Sequence, residues 1–243
     1  MQSGWAARAG AAAHTFVDRL DDALTLEGDA ARHLAGSLRL RPGECVTAAD
    51  GHGRWRAYEV GTVDRHELHL AAGAPVVVEP RLTPVVCVAF ALTKADKPDL
   101  VVQKLTELGV DRIVLVRAAR SVPRWDEARL AAAVARLERV AREAAQQCRR
   151  ATLPEVGGIE TPASLADRPG LVVADPSGAG PTEVALPGTD EWALAVGPEG
   201  GFDPDELAAM PGPRLGLGPY VLRAETAAIA GAAALCARRA TGA

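Results

Sequence analysis

Three short apolar segments in the second half of the chain each run into a turn rich in glycine and proline. Leu171 to Ala174 enters Asp175-Pro176-Ser177-Gly178, Trp192 to Val196 enters Gly197-Pro198-Glu199-Gly200-Gly201, and Arg214 to Leu217 enters Gly218-Pro219-Tyr220. Such turns present main-chain N–H and C=O groups, and glycine lets a ligand approach the backbone closely. Few side chains beside them titrate. The pattern suits an adenosine-like ligand held by main-chain hydrogen bonds. Arg223 and Glu225, which follow the third turn, form a charged pair that needs a reason beside a buried loop. A structural salt bridge is one such reason.

Other chemistries lack their residues. There is no GxxxxGK[ST] phosphate loop, and Gly216-Leu217-Gly218-Pro219-Tyr220-Val221 lacks the third glycine of a dinucleotide fingerprint. No GxSxG or paired Cys/His site occurs, which removes the common covalent hydrolases. Cys45, Cys87, Cys148 and Cys236 are far apart in sequence and contain no CxxC, so free thiols in a reducing cytoplasm are expected, and no metal site. Arg65-His66-Glu67-Leu68-His69 is not HExxH and reads as an alternating strand with solvated histidines.

The elements that must position the three turns follow from periodicity. At 243 residues, 48% hydrophobic and 24% charged, the chain is of ordinary globular composition, with length for one large domain or a small and a medium one. Its longest uncharged apolar run, 227–237, falls short of the roughly 20 residues a membrane span needs. The first sixteen residues read as a loose N-terminus without the apolar core of a signal peptide. Glu44 to Ala49, Arg54 to Val60 and Glu67 to Leu70, divided by Asp50-Gly51-His52-Gly53, predict a small β-rich domain. Pro75, Pro80 and Pro84 place its end near residue 80.

Strand and helix periods then alternate, as in an α/β domain. Val85 to Ala91 and Arg112 to Arg117 predict buried strands around a helix from Lys97 to Leu108, which Gly109 ends. Leu130, Val134, Leu137, Ala141, Ala144 and Cys148 recur on one helical face for five turns. Asp203-Pro204-Asp205-Glu206 opens another helix, and a last one covers about Ala224 to Arg239. Net charge is -4, but it is unevenly spread: residues 112–150 hold 10 basic and 4 acidic side chains, every basic one an arginine. Arg136, Arg139 and Arg142 lie off the apolar stripe, so an acidic protein carries one basic face, as an RNA partner would require; a merely solvated helix is the alternative.

Several motifs follow one another in order: Lys94 with Asp96-Lys97, Gln103-Lys104-Leu105-Thr106-Glu107-Leu108-Gly109-Val110, Arg120-Ser121-Val122, Gln147-Cys148-Arg149-Arg150 with Leu153-Pro154, Gly197-Pro198-Glu199-Gly200-Gly201-Phe202, and Leu217-Gly218-Pro219-Tyr220-Val221-Leu222-Arg223-Ala224-Glu225-Thr226-Ala227. This series resembles the bacterial 16S, small-subunit ribosomal RNA uridine-N3 methyltransferase family of the SPOUT superfamily. The resemblance covers nearly all of residues 84–243. It extends into His33-Leu34, Ser37-Leu38-Arg39-Leu40 and Pro42-Gly43-Glu44 of the first domain.

The resemblance implies a PUA-like β-barrel RNA-binding domain (14–79) followed by a trefoil-knotted α/β SPOUT methyltransferase domain (80–243). It further implies S-adenosylmethionine as donor, small ribosomal subunits as substrate, a homodimer, and a cytoplasmic setting without membrane or metal. Cofactor contacts are then expected from Ala174, Asp175, Val196, Gly197, Pro198, Glu199, Gly200, Gly201, Leu217, Gly218, Leu222, Arg223 and Thr226. Arg150, Arg223 and Glu225 are the candidates for catalysis, and none is an evident general base. Arg39, Arg41, Arg54, Arg56, Arg136, Arg139, Arg142 and Arg149 are the candidates for RNA contact. Gln146 and Tyr220 depart from the glutamate and arginine common in the family. The rivals are a SPOUT enzyme for another RNA position, a fold-retaining RNA-binding factor without cofactor and, more remotely, a small-molecule nucleotide-binding enzyme with an incidental basic helix.

Overall fold

The computed structural model describes residues 8–64, 67–91, 97–121 and 126–241. His66, Lys94, Asp96 and Val122, which figure in the sequence reading, lie outside them. The chain forms two compact units, residues 1–81 with 145–153, and residues 82–144 with 154–243. Among the described residues no helix is long and apolar enough to cross a membrane.

The first unit is built on a sheet of β1 (Ala13–Phe16), β2 (Ala23–Glu27), β3 (Cys45–Ala49), β4 (Arg54–Val63), β5 (Glu67–Ala72) and β6 (Val77–Val78), in the order β1-β3-β4-β5-β2 with β6 on β4. Only β1 and β3 run parallel. Alternation sets the faces: Leu68 and Leu70 of β5 are buried while His69 between them is half exposed, its ring bonded to Thr25 Oγ1 at 3.1 Å. The β3–β4 turn closes because the Asp50 carboxylate accepts the N–H groups of His52 (2.8 Å) and Arg54 (3.1 Å), with Gly51 and Gly53 at positive φ. A short helix, α1 (Gly28–Ala31), runs into a wider turn at Arg32–Ser37, which brings Leu34 into a core with Val46, Tyr58 and Leu68.

One correction concerns the N-terminus. Residues 13–16, read as loose, form a strand whose four residues are all buried. His14 and Thr15 tolerate burial because their polar atoms find partners: Thr47 Oγ1 and the Arg150 carbonyl for the imidazole, Gln146 for Thr15. Residues 145–153 thus pack with the barrel, and Ala145 and Ala151 join Phe16, Ala49 and Trp55 in its second apolar cluster.

The second unit is a parallel sheet of β7 (Val85–Ala91), β8 (Arg112–Val116), β9 (Glu155–Glu160), β10 (Leu171–Ala179), β11 (Glu191–Val196) and β12 (Arg214–Leu215), in the order β12-β10-β11-β7-β8-β9. Alternate residues of β7 enter different cores. Val86, Val88 and Phe90 pack with α2 (Lys97–Leu108), α3 (Glu127–Gln147) and α6 (Ala224–Thr241) through Leu105, Leu137, Ala228 and Leu235. Cys87 and Ala89 share the other core with Leu165 of α4 (Pro162–Ala166) and with Phe202 and Met210, which flank α5 (Pro204–Ala209). Both faces are covered, so β7 is apolar throughout instead of alternating. Arg239 of α6 is buried; it donates to the Gly109 carbonyl at the end of α2 (2.8 Å) and pairs with the Asp111 carboxylate. Asp203 accepts the Asp205 N–H and Glu206 that of Asp203, so α5 starts with the capping box its sequence predicts.

Candidate functional site

β10 at Ala174–Pro176 and the C-terminal ends of β11 and β12 open onto one cavity of about 340 Å³, a size typical of small-molecule sites. Its wall is apolar and main-chain: Ala174, Val196, Pro198, Phe202, Leu207, Leu215, Leu217, Leu222, Ala224 and Ala227, with Gly197, Gly200, Gly201 and Gly218 between them. Ligands of open α/β sheets bind in this position, outside the carboxyl ends of strands.

Local chemistry shapes each wall. The turn 175–178 is embedded in β10, not beyond it as the sequence suggests. Pairing with β12 passes from Ala174 to Ala179 against the same Leu215, so the intervening residues bulge. Asp175 holds the bulge by accepting the Ser177 N–H (2.8 Å) and hydroxyl (2.6 Å), which also draws its pKa below the ordinary carboxylate value. Gly178 and Gly216 cross there backbone to backbone: a Cβ on Gly216 would stand 2.4 Å from the Gly178 carbonyl oxygen. In the loop after β11, Gly201 donates to the Pro198 carbonyl (2.8 Å) at φ 68, and Arg120 fixes the loop from outside by donating to the Gly200 carbonyl (2.9 Å). Sequence reasoning gave Arg120 no role, because its partner lies 80 positions away.

Of the residues expected to contact a cofactor, Ala174, Asp175, Val196, Gly197, Pro198, Glu199, Gly200, Gly201, Leu217, Gly218 and Leu222 line this cavity. Arg223 and Thr226 do not; both are exposed beside it. Tyr220 and Val221 at the cavity wall are 81% and 87% exposed, an uncovered apolar rim. The Arg223–Glu225 pair raised by the sequence is not the one the structure makes. Glu225 Oε1 instead lies 3.3 Å from Lys97 Nζ, which is also 3.1 Å from Glu199 Oε1. Arg150 belongs to the first unit, where its carbonyl takes the His14 Nε2 donor and its guanidinium reaches Thr152 Oγ1 at 3.4 Å.

The arginines expected to meet RNA divide into two groups. Arg39, Arg41, Arg54, Arg136, Arg139 and Arg142 are exposed, with Arg136 paired to Asp99 at 2.7 Å. Arg56 and Arg149 are half-buried and bonded within their own unit. The Arg56 guanidinium donates to the Ala74 (2.6 Å) and Leu20 (3.3 Å) carbonyls, pairs with Asp22 and keeps only 14% of its side chain exposed. Arg149 donates to the carbonyls of Arg8 and Ala9. Both side chains tie segments of their own unit together. The sequence gives no sign of this, since main-chain carbonyl partners leave no motif.

Comparison with known proteins adds two domain matches and a set of relatives. The profile of an RNA methyltransferase domain matches residues 80–236, and that of an RNA methyltransferase PUA domain matches residues 26–72. The ribosomal RNA small subunit methyltransferase E of Mycobacterium bovis is 35% identical over 228 residues, 88% of this chain and 87% of the relative. The protein of the same name from Bacillus subtilis is 28% identical over 84% of this chain and 85% of its own. The crystal structure of the Neisseria gonorrhoeae ribosomal RNA small subunit methyltransferase E bound to S-adenosyl methionine is similar with a TM-score of 0.78 and 26% identity, covering 92% of this chain and 96% of that one.

Proposed function

The chain belongs to the RNA methyltransferase family, and on that premise we propose that it methylates N3 of a uridine in 16S ribosomal RNA, with S-adenosylmethionine as donor. The observation that carries this reading is the cavity itself: three main-chain loops at adjacent strand ends, apolar, glycine-lined and of the right volume. Its residues fit the donor. Main-chain groups at Gly197–Gly201 and Gly216–Gly218 can bond an adenine edge, the apolar wall can cover its faces, and the Asp175 and Glu199 carboxylates suit ribose hydroxyls and a cationic sulfonium and amine. When bound, S-adenosylmethionine supplies an electrophilic methyl group.

This chain then has three tasks: to bind, to orient and to manage one proton. The loops hold the reacting partners in line, which is a large part of catalysis in such a transfer. Uracil N3 must lose its proton before its lone pair can attack, so an acceptor near N3 and a cation near the uracil carbonyls both help. Glu225, at the start of α6 beside cavity-lining Ala224 and Ala227, is our candidate acceptor. Arg223 is exposed and free of any described ion pair, so it is suited to the carbonyls or to a neighbouring phosphate. Arg150 remains a candidate for positioning RNA from the first unit.

The PUA domain and, separately, the exposed arginines of α3 support an RNA partner. The exposed Tyr220–Val221 rim supports a homodimer in which a second copy covers the cavity mouth. We assign residues 14–79, with 145–153 packed among them, to the barrel, the rest of residues 80–243 to a trefoil-knotted catalytic domain, and the whole to the bacterial cytoplasm, where small subunits are found. Calorimetric titration tests the site: S-adenosylhomocysteine should bind and ATP and NAD should not, whereas binding of NAD or ATP alone would refute it.

A further inference from the structure

Lys97 opens α2, and its ammonium touches both flanks of the cavity, through Glu199 of the loop after β11 and Glu225 of the first turn of α6. The Glu225 side chain is only 12% exposed, and its Oε2 is enclosed with no hydrogen-bond partner among the described residues. A carboxylate so placed is costly unless a cation meets it. The hydrogen bond to Glu199, together with that to Glu225, raises the Lys97 pKa above its ordinary value, so the ammonium stays charged through the neutral range. Remove it, and the Glu199 and Glu225 carboxylates lose the cation they share.

We propose that Lys97 is a positioning residue of the donor site: one ammonium clamps the glycine loop after β11 to the start of α6, holding both in the geometry that binds the cofactor. The inference rests on reading the cavity as the methyl-donor site. It adds a residue outside the cavity wall that acts through Glu199 and Glu225.

The test compares Lys97→Met with Lys97→Arg and with Lys104→Met, whose ammonium pairs along its own helix with Glu107 (2.8 Å). Hydrogen exchange of the ligand-free protein should quicken at residues 197–202 and 224–228 in Lys97→Met and stay at the wild-type level in Lys104→Met. The Kd for S-adenosylhomocysteine should rise roughly 10-fold in Lys97→Met, the worth of a charge-assisted hydrogen bond. Lys97→Arg should restore most of it, and the loss should shrink in a Glu225→Gln background, where only the Glu199 carboxylate loses its cation. Exchange and affinity in Lys97→Met equal to those of Lys104→Met would overturn the clamp, as would identical behaviour of the Met and Arg variants. If the wild type bound no S-adenosylhomocysteine, the methyl-donor reading would fall, while the exchange comparison would still decide whether Lys97 orders the two segments.

Discussion

The imidazole of His14 donates from Nε2 to the main-chain carbonyl of Arg150, 2.9 Å away and 136 positions along the chain. Its Nδ1 then accepts from the Thr47 hydroxyl at 2.8 Å, an arrangement that needs the neutral ring. Burial is the main reason the pKa falls from 6.5 to about 4, and the nearby Arg8 and Arg149 push it the same way against the Arg150 carbonyl.

A pH dependence follows with a definite sign. The unfolded chain takes up a proton near pH 6.5 and the folded one only near pH 4, so the unfolded state binds more protons between them and stability falls as pH drops through that window. Between pH 7 and pH 5 the wild type should lose about 2 kcal/mol that His14→Gln does not lose. Urea unfolding of both proteins at the two pH values measures it; equal pH responses would contradict the buried neutral histidine.

Arg239 should be a stability residue. Arg239→Ala removes a donor to the Gly109 carbonyl and strands the Asp111 carboxylate, whose other described partner is the Val86 N–H. The expected cost is about 3 kcal/mol. Arg238→Ala, which loses a bond to the Val184 carbonyl, should cost about 1 kcal/mol. Thermal unfolding of the two variants should rank them in that order.

Gly201 carries its φ of 68 at the cavity wall, where a side chain is strained by roughly 1–2 kcal/mol. Gly201→Ala should stay folded, with near-native circular dichroism, and bind S-adenosylhomocysteine several-fold more weakly. Unchanged affinity would mean that this loop does not hold the ligand.

Exposed and tied arginines should separate in RNA binding. Arg139→Ala and Arg142→Ala should each weaken binding and reduce the salt slope by about 1 if each contacts one phosphate. Arg56→Ala should leave the slope unchanged and lower stability by about 2 kcal/mol, because it frees the Ala74 and Leu20 carbonyls and Asp22. Filter binding across a salt series, alongside urea unfolding, distinguishes the two groups.

Where signals are local, the sequence reads directly into the structure. The apolar run of β7, the stop at Gly109 after α2 and the capping box at Asp203–Glu206 depend on neighbours a few residues away. The glycine loops that line the cavity were legible for the same reason. What was hidden depends on distant partners. β1 is a strand because Thr47 and Arg150 satisfy His14, and residues 145–153 join the barrel through the same contacts. Lys97 lies far from both Glu199 and Glu225 in sequence, so Glu225 invited a pairing with its sequence neighbour Arg223 when its partner is Lys97.

The central claim is methyl transfer to a uridine of small-subunit RNA. The protein should be incubated with methyl-labelled S-adenosylmethionine and small ribosomal subunits that lack the modification, and the RNA then digested to nucleosides. Label in 3-methyluridine is the predicted result. Label in a different nucleoside, or none in RNA despite bound cofactor, would contradict it.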